Sequence, residues 1–132
     1  MSVTKTIYYH DTDAGGVVYY GRYLNFLEEA RTVFLDAIGF NVKELNEQGF
    51  IFAVKTCHLS YQYPARYGDT VECDAIVQTL SPTRIHFKQK VQCCVSGKTL
   101  VEAQVELVSL NHQFKPVKMP RDLFDALKQR IV

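Results

Sequence analysis

Most of the side chains in this chain that could do chemistry together fall in one short run. Tyr8-Tyr9-His10-Asp11-Thr12-Asp13-Ala14-Gly15-Gly16-Val17-Val18-Tyr19-Tyr20 carries two carboxylates, one imidazole, four phenols and two glycines. It stands just ahead of a helical pattern. A helix start offers unclaimed backbone N–H groups and the positive end of the dipole. Such donors can hold a developing oxyanion, as acyl transfer requires. A carboxylate in the preceding loop could attack a carbonyl or activate water, and the glycines let backbone come close to a ligand. The same composition also has a plainer meaning. Asp-rich segments before helices commonly serve as caps and turns, and composition alone favours that reading.

Other candidate groups are weaker. His10 reads as a partly exposed loop histidine. His10, Asp11 and Asp13 suggest a metal, but no third cluster completes a ligand set, so no metal is expected. Cys57 and His58 are neighbours on a strand and face opposite ways. There is no G-x-S-x-G elbow and no phosphate-binding glycine loop. Arg84, His86, Lys88 and Lys90 form a basic row, either a solvated strand face balanced by Glu102 and Glu106 or a rim that catches phosphates. Arg66 and Arg84 border turns, where a cation meets phosphate without a buried-charge penalty. Tyr61, Tyr63 and Tyr67 could line a ligand path or simply pack on a sheet. Glu28 and Arg31 lie three apart, a spacing suited to a helical ion pair.

Global properties bound the function. The chain has 132 residues, fitting a single domain over 1–132, with 47% hydrophobic and 22% charged residues. A net charge of +1 gives no strong field toward nucleic acid or an anionic membrane. An anionic ligand must therefore be caught by a few placed cations. The N-terminus lacks the apolar run of a signal peptide, and no stretch has the length of a membrane span. Cys57, Cys73, Cys93 and Cys94 form no CxxC pair, and Cys93 and Cys94 would point to opposite faces of a strand. Reduced thiols and a cytoplasmic location are expected.

The elements that must position the Asp-rich run follow from periodicity. Residues 3–9 read as a short strand. Tyr23, Phe26, Leu27, Ala30, Val33, Phe34, Ala37 and Ile38 recur at steps of three and four, a broad apolar stripe that predicts a long, largely buried helix. Arg22, Asn25, Glu28, Glu29, Arg31, Thr32 and Asp36 fill its other side, and Gly39 suits its close. Residues 42–48 read as one or two further helical turns. From residue 51 the period becomes two, predicting strands over 51–63, 70–80, 83–94 and 98–110, separated by Gly68-Asp69, Ser81-Pro82 and Ser96-Gly97. A last helix follows Pro120, placed as its first residue, with Leu123, Phe124, Leu127 and Ile131 as its apolar side. This order predicts an α+β fold, a curved antiparallel sheet wrapped around one long central helix. Such a sheet leaves edges that oligomerisation would cover.

The last hairpin allows a sharper expectation. Its apolar residues are odd-numbered in both strands, so paired positions must sum to an even number. A three-residue loop 95–97, with Gly97 in the left-handed position, gives that. It sets Val91 opposite Val101, Phe87 opposite Val105, Lys90 opposite Glu102 and His86 opposite Glu106.

The run from Tyr8 to Arg31, YYHDTDAGGVVYYGRYLNFLEEAR, resembles the signature of the 4-hydroxybenzoyl-CoA thioesterase family, closest to its Tol–Pal-linked bacterial branch. Tyr9, Asp11, Thr12, Asp13, Gly16, Val18, Tyr19, Tyr23, Glu28, Ala30 and Arg31 fit that pattern, and Tyr63-Pro64-Ala65-Arg66 with Gly68-Asp69 resembles the family's second strand and turn. The resemblance implies the hotdog fold and hydrolysis of a CoA or acyl-carrier-protein thioester. It implies a homodimer or a dimer-of-dimers tetramer, and no cofactor beyond the CoA moiety of the substrate. It makes Asp13 the catalytic carboxylate, nucleophile or base, and Asp11 a loop-shaping residue. Tyr9 would lie near the thioester, and the backbone N–H of Tyr20 or Gly21 would polarise its carbonyl. Tyr19, Arg66 and Arg84 would contact substrate. Many members of the branch carry His where this chain has Tyr20. A phenol donates a hydrogen bond but is no base near neutral pH, so the side chain at 20 would orient substrate. Two rival readings are a non-hydrolytic acyl-CoA or acyl-carrier binding module, which needs no carboxylate at the thioester, and a hotdog dehydratase, which would want a His such as His10 beside the acyl chain.

Overall fold

The structure is a computed structural model describing residues 2–131. Strand β1 (Ser2–Thr6) leads through a short 3-10 turn (Tyr9–Asp11) to helix α1 (Arg22–Ala37) and helix α2 (Val42–Glu47). Strands β2 (Ile51–Tyr61), β3 (Thr70–Asp74), β4 (Ile76–Ser81), β5 (Arg84–Cys93) and β6 (Thr99–Leu110) follow, then helix α3 (Arg121–Lys128). They form one antiparallel sheet in the order β1-β3-β5-β6-β2, with β4 continuing the line of β3 along β5. Helix α1 lies across β1, β3 and β5, with Phe34 edge-on to Phe87 at 5.8 Å. This is the hotdog arrangement.

The strand expected over 70–80 is interrupted at Ala75. There the Lys90 N–H donates to the Asp74 side chain at 2.7 Å, and the Gln89 amide donates to the Asp74 carbonyl at 2.9 Å. Side chains thus replace the ladder bonds for one step. The alternation survives the break, since Val71, Cys73, Ala75 and Val77 are all buried.

Helix α1 corrects the expected stripe. Tyr23, Phe26, Leu27, Ala30 and Phe34 are buried, but so are Leu35 and Arg31, the latter only 8% exposed. Val33 is 38% exposed and Ala37 is also exposed. The helix packs on one half of the sheet, so only the side facing β1, β3 and β5 is covered. Arg31 is accommodated because Gln89, on the inward face of β5, accepts from its Nη1 at 3.0 Å. Gln89 in turn donates to the Leu27 and Asp74 carbonyls, so every polar end of this buried amide is satisfied.

The β5–β6 register is the predicted one: Val91 faces Val101, Phe87 faces Val105, Lys90 faces Glu102 and His86 faces Glu106. Its cause differs. Cys93 and Lys98 close a four-residue loop, with Gly97 in the left-handed region at φ 73°. A bulge at Leu100 then absorbs one residue, since Gln92 pairs with Thr99 while Val91 pairs with Val101. Leu100 and Val101 both turn inward as a result. At the C-terminus Pro120 is the residue before the first helical turn rather than within it, and Leu123 and Leu127 carry the buried side of α3.

Strand β2 forms one edge of the sheet. Its inward residues by register include Val54, Cys57 and Tyr61, opposite Leu107, Val105 and Val101. All three are exposed, Val54 at 52%. The side of α1 nearest β2 is correspondingly open at Leu24.

Candidate active site

Asp11 organises the loop ahead of α1. It is 2% exposed. Its Oδ2 accepts from the Tyr8 N–H at 2.9 Å, and its Oδ1 accepts from Arg22 Nε at 2.9 Å and Nη2 at 2.7 Å. Burial by itself would push this carboxyl up. The Tyr8 N–H and the Arg22 guanidinium outweigh that and hold it below its ordinary value, with His10 adding a smaller pull. Its carbonyl accepts from the Tyr19 N–H at 2.9 Å, tying the loop's two arms together.

Those arms form a small hairpin. Thr12 bridges Val18, and the Asp13 N–H donates to the Val17 carbonyl at 2.9 Å. Asp13 through Gly16 is the turn, closed by the Gly16 N–H on the Asp13 carbonyl at 3.1 Å, with Gly16 left-handed at φ 78°. Asp13 sits exposed at its head. Its Oδ1 accepts from the Gly15 N–H at 2.8 Å, and its Oδ2 has no partner among the described residues. A Cβ at position 15 would stand 3.2 Å from Asp13 Oδ1, so a glycine there keeps the carboxylate uncrowded.

Capping of α1 is not what these aspartates do. Gly21 precedes the helix and no side chain caps it. Asp11 serves the 3-10 turn instead, and Asp13 serves its own turn. Among the described residues the N–H groups of Tyr20 and Gly21 have no protein acceptor. The Tyr19 ring packs close over Gly21, so a Cβ there would meet it at 2.9 Å and the ring would have to shift. The neighbouring Tyr20 phenol holds the Tyr19 phenol above its usual value.

Beside the helix start lies a cleft of about 260 Å³ lined by Val18, Tyr20, Tyr23, Tyr61, Tyr63 and Pro64. Its rings touch in sequence: Tyr19 on Tyr20 at 4.8 Å, Tyr20 edge-on to Tyr61 at 6.4 Å, and Tyr61 on Tyr23 at 5.7 Å. Tyr23 anchors the cleft floor, its hydroxyl accepting the Ala65 N–H at 3.2 Å while the Ala65 carbonyl accepts the Val18 N–H.

The structure sorts the residues singled out by sequence. Asp13, Tyr19, Tyr20 and Gly21 lie on one segment, tied by the Asp13 N–H on the Val17 carbonyl and the Tyr19 N–H on the Asp11 carbonyl. Arg66 joins them: its backbone bridges Val17, its N–H donates to Asp69 Oδ2 at 2.9 Å, and its exposed guanidinium has no carboxylate partner among the described residues. Tyr9 lies in the same loop but is 77% exposed, and its ring packs edge-on against Tyr67 at 6.0 Å rather than against Asp13. His10 is exposed and stacks on Tyr8. Arg84 stands apart within the chain. It is ion-paired to Glu106 at 3.2 Å, at the end of β5 away from the Val91–Val101 pair that neighbours Tyr61, roughly 20 Å along the strand. Arg22, which periodicity placed on the solvent side of α1, is the residue sequence reasoning missed. Its signal was position: it is the first cation after two carboxylates, at the start of the helix that follows them.

Comparison with known proteins converges on one family. Residues 8–127 match the thioesterase-like superfamily model. The acyl-CoA thioesterase YbgC of Haemophilus influenzae is 36% identical over 124 residues, 93% of this chain and 90% of that protein. A probable thioesterase from Bartonella henselae superposes with a TM-score of 0.85 at 31% identity, covering 91% of this chain and 98% of that one. A DHNA-CoA thioesterase from Staphylococcus aureus superposes with a TM-score of 0.92 at 25% identity, covering 97% and 88%. On the match over residues 8–127 and the likeness to the Haemophilus protein, the chain belongs to the thioesterase-like superfamily.

Proposed function

We propose that this chain is an acyl-CoA thioesterase that hydrolyses a CoA or acyl-carrier thioester to free acid and thiol. The observation that carries the reading is the Asp13 turn. One carboxylate oxygen is fixed by the Gly15 N–H and the other has no partner among the described residues, on the hairpin that leads into a helix start where the Tyr20 and Gly21 amides are unclaimed. In this reading the thioester carbonyl oxygen takes the N–H of Tyr20 or Gly21, which stabilises the charge that develops on it. Asp13 supplies either the oxygen that attacks the carbonyl carbon or the base that takes a proton from the attacking water. The thiol leaves and water provides the second oxygen of the acid. Tyr20 and Tyr19 hold the acyl group through their rings and hydroxyls, Tyr9 lies at the edge, and no metal or redox cofactor is called on. A panel of acyl-CoAs assayed for free thiol tests the reading. Tight binding of acyl-CoA with no thiol released from any member would make the chain a binding module instead.

The likeness of residues 8–31 to the Tol–Pal-linked branch supports placing the chain there, and the four free thiols support a cytoplasmic setting. No described helix is long and apolar enough to cross a membrane.

Arg66 is the cation this reading assigns to the CoA phosphates, because it lies beside the Asp13 turn with its charge unspent. Arg84 has neither property in the single chain. Arg66→Ala should raise KM about three- to tenfold with kcat held, the mark of binding shared by ground and transition states. Steady-state kinetics at two salt concentrations is the check. An unchanged KM with unchanged salt dependence would reduce Arg66 to an ordinary surface charge.

The working unit in this reading is a homodimer or a dimer of dimers. Strand β2 supports it: eleven residues at a sheet edge, with apolar inward side chains left open beside α1. A second copy would cover both the edge and the open strip, and complete the pocket walls around Asp13. Sedimentation velocity at micromolar concentration should show no stable monomer. A fully active monomer would sink the shared pocket.

A further inference from the structure

Tyr61 enters the site by a contact that the thioesterase reading does not use. From the last position of β2 its hydroxyl donates to the Tyr20 carbonyl at 3.3 Å, across 41 residues of sequence. That carbonyl belongs to the same peptide plane as the Gly21 N–H. In a trans peptide the two point in opposite directions, so fixing one aims the other. The preceding plane is fixed as well, because the Tyr19 carbonyl accepts the Arg22 N–H at 2.9 Å. Both planes whose N–H groups are unclaimed therefore have their carbonyls tied. One tie is local to the helix start, and the other is delivered from the sheet by Tyr61. The Tyr61 ring is itself held, against Tyr23 at 5.7 Å and edge-on to Tyr20 at 6.4 Å. On the other side the Tyr19 ring packs close over Gly21, 2.9 Å from where a Cβ of residue 21 would stand.

We propose that Tyr61 is a positioning residue for oxyanion stabilisation. Its hydroxyl orients and polarises the Tyr20–Gly21 peptide so that the amides at the start of α1 meet the charge that develops on the substrate carbonyl. A donor on a peptide carbonyl strengthens the N–H of that peptide as a donor in turn. The inference rests on the thioester-hydrolysis reading and adds to it a residue whose hydroxyl acts through the Tyr20–Gly21 peptide rather than on the reacting atoms. It also gives the phenol at this place a role distinct from lining the cleft, since a phenylalanine would line it equally well.

The test compares the parent protein with Tyr61→Phe in three measurements. The first is steady-state hydrolysis of the best acyl-CoA. The second is inhibition by a trifluoromethyl ketone analogue of that thioester, whose hydrate in water carries two oxygens on a tetrahedral carbon and so mimics the tetrahedral intermediate. The third is binding of the S-alkyl thioether of CoA, which has no carbonyl. Tyr61→Phe should lower kcat by about three- to tenfold, the range of one neutral hydrogen bond. KM and thioether affinity should stay within about twofold, and ketone inhibition should weaken by the same factor as kcat. Tyr61→p-aminophenylalanine, which keeps a donor at the ring tip, should recover most of both losses. Should the phenylalanine variant melt lower, that rescue separates positioning from packing, because the two rings fill the same space. Unchanged kcat and unchanged ketone inhibition in Tyr61→Phe overturn the proposal, as does an equal loss of thioether affinity, which would mean the hydroxyl only shapes the cleft. A parent protein that hydrolyses no thioester overturns the underlying reading and this one with it.

Discussion

Asp13→Asn should leave the fold and the acyl-CoA affinity nearly intact and lower kcat by about 10²–10⁴, the span typical of losing a positioned acid–base group. The reason the turn survives is specific. The Gly15 N–H needs an acceptor at the Oδ1 position, and an asparagine carbonyl oxygen supplies one. The closing bond from Gly16 to the residue 13 carbonyl involves backbone alone. What the substitution removes is the charge and the second oxygen, the atom without a partner among the described residues. An amide is neither a base nor a nucleophile at neutral pH. KM should therefore move little while kcat falls, a split read directly from thiol release over a range of acyl-CoA concentrations. A variant that hydrolyses its best thioester as fast as the parent would remove Asp13 from the chemistry and place the catalytic group elsewhere in the chain.

Most of the fold was legible because its signals are local and periodic. The period-two runs of β5 and β6 located most of the inward face, and parity together with a three-residue loop set their register. Parity could not say how the odd residue is absorbed, because a longer loop with a bulge at Leu100 and a three-residue loop give the same pairing downstream. The break at Ala75 was hidden for a different reason. It depends on Gln89 and Lys90 reaching Asp74 from another strand, and no window of sequence contains that contact. Arg31 misled for the same reason. A charged residue on a helix reads as solvent-facing until its buried partner, 58 residues away, is known. In the site, the resemblance of residues 8–31 located the loop, while residue types alone favoured capping. The structure assigns the two aspartates different work: one is buried and fully partnered, the other exposed with an oxygen to spare. Tyr61 was named only as a possible lining residue, since its bond to the Tyr20 carbonyl is again a contact between distant segments.

That division of labour gives Asp11→Asn a different signature from its neighbour's. Both changes remove one charge from the same loop, yet Asp11 is buried and holds three donors, from Tyr8 and Arg22. An asparagine can accept through one oxygen only, so it must leave either the Tyr8 N–H or the Arg22 fork poorly matched. Hydrogen bonds to a charged group contribute about 1.5–3 kcal/mol. Arg22 is 37% exposed, so solvent screening trims its share, and a total loss of about 2–3 kcal/mol is expected. For a chain this size that lowers Tm by roughly 6–12 °C. The pH dependence has a definite sign. The folded-state pKa of Asp11 lies below its ordinary 3.8, so its contribution is fully present above that value and is lost as pH falls through the lower folded-state value. Thermal melts of parent and Asp11→Asn should differ most at pH 5–7 and converge as the solution is acidified below about 3.8. Activity should fall through geometry, with KM rising as well as kcat falling, because the Tyr19 N–H bond to residue 11 and the start of α1 lose their common anchor. A variant with the parent's Tm at neutral pH but a kcat as low as that of Asp13→Asn would assign the chemistry to Asp11 instead, and would make the exposed carboxylate at 13 the scaffold.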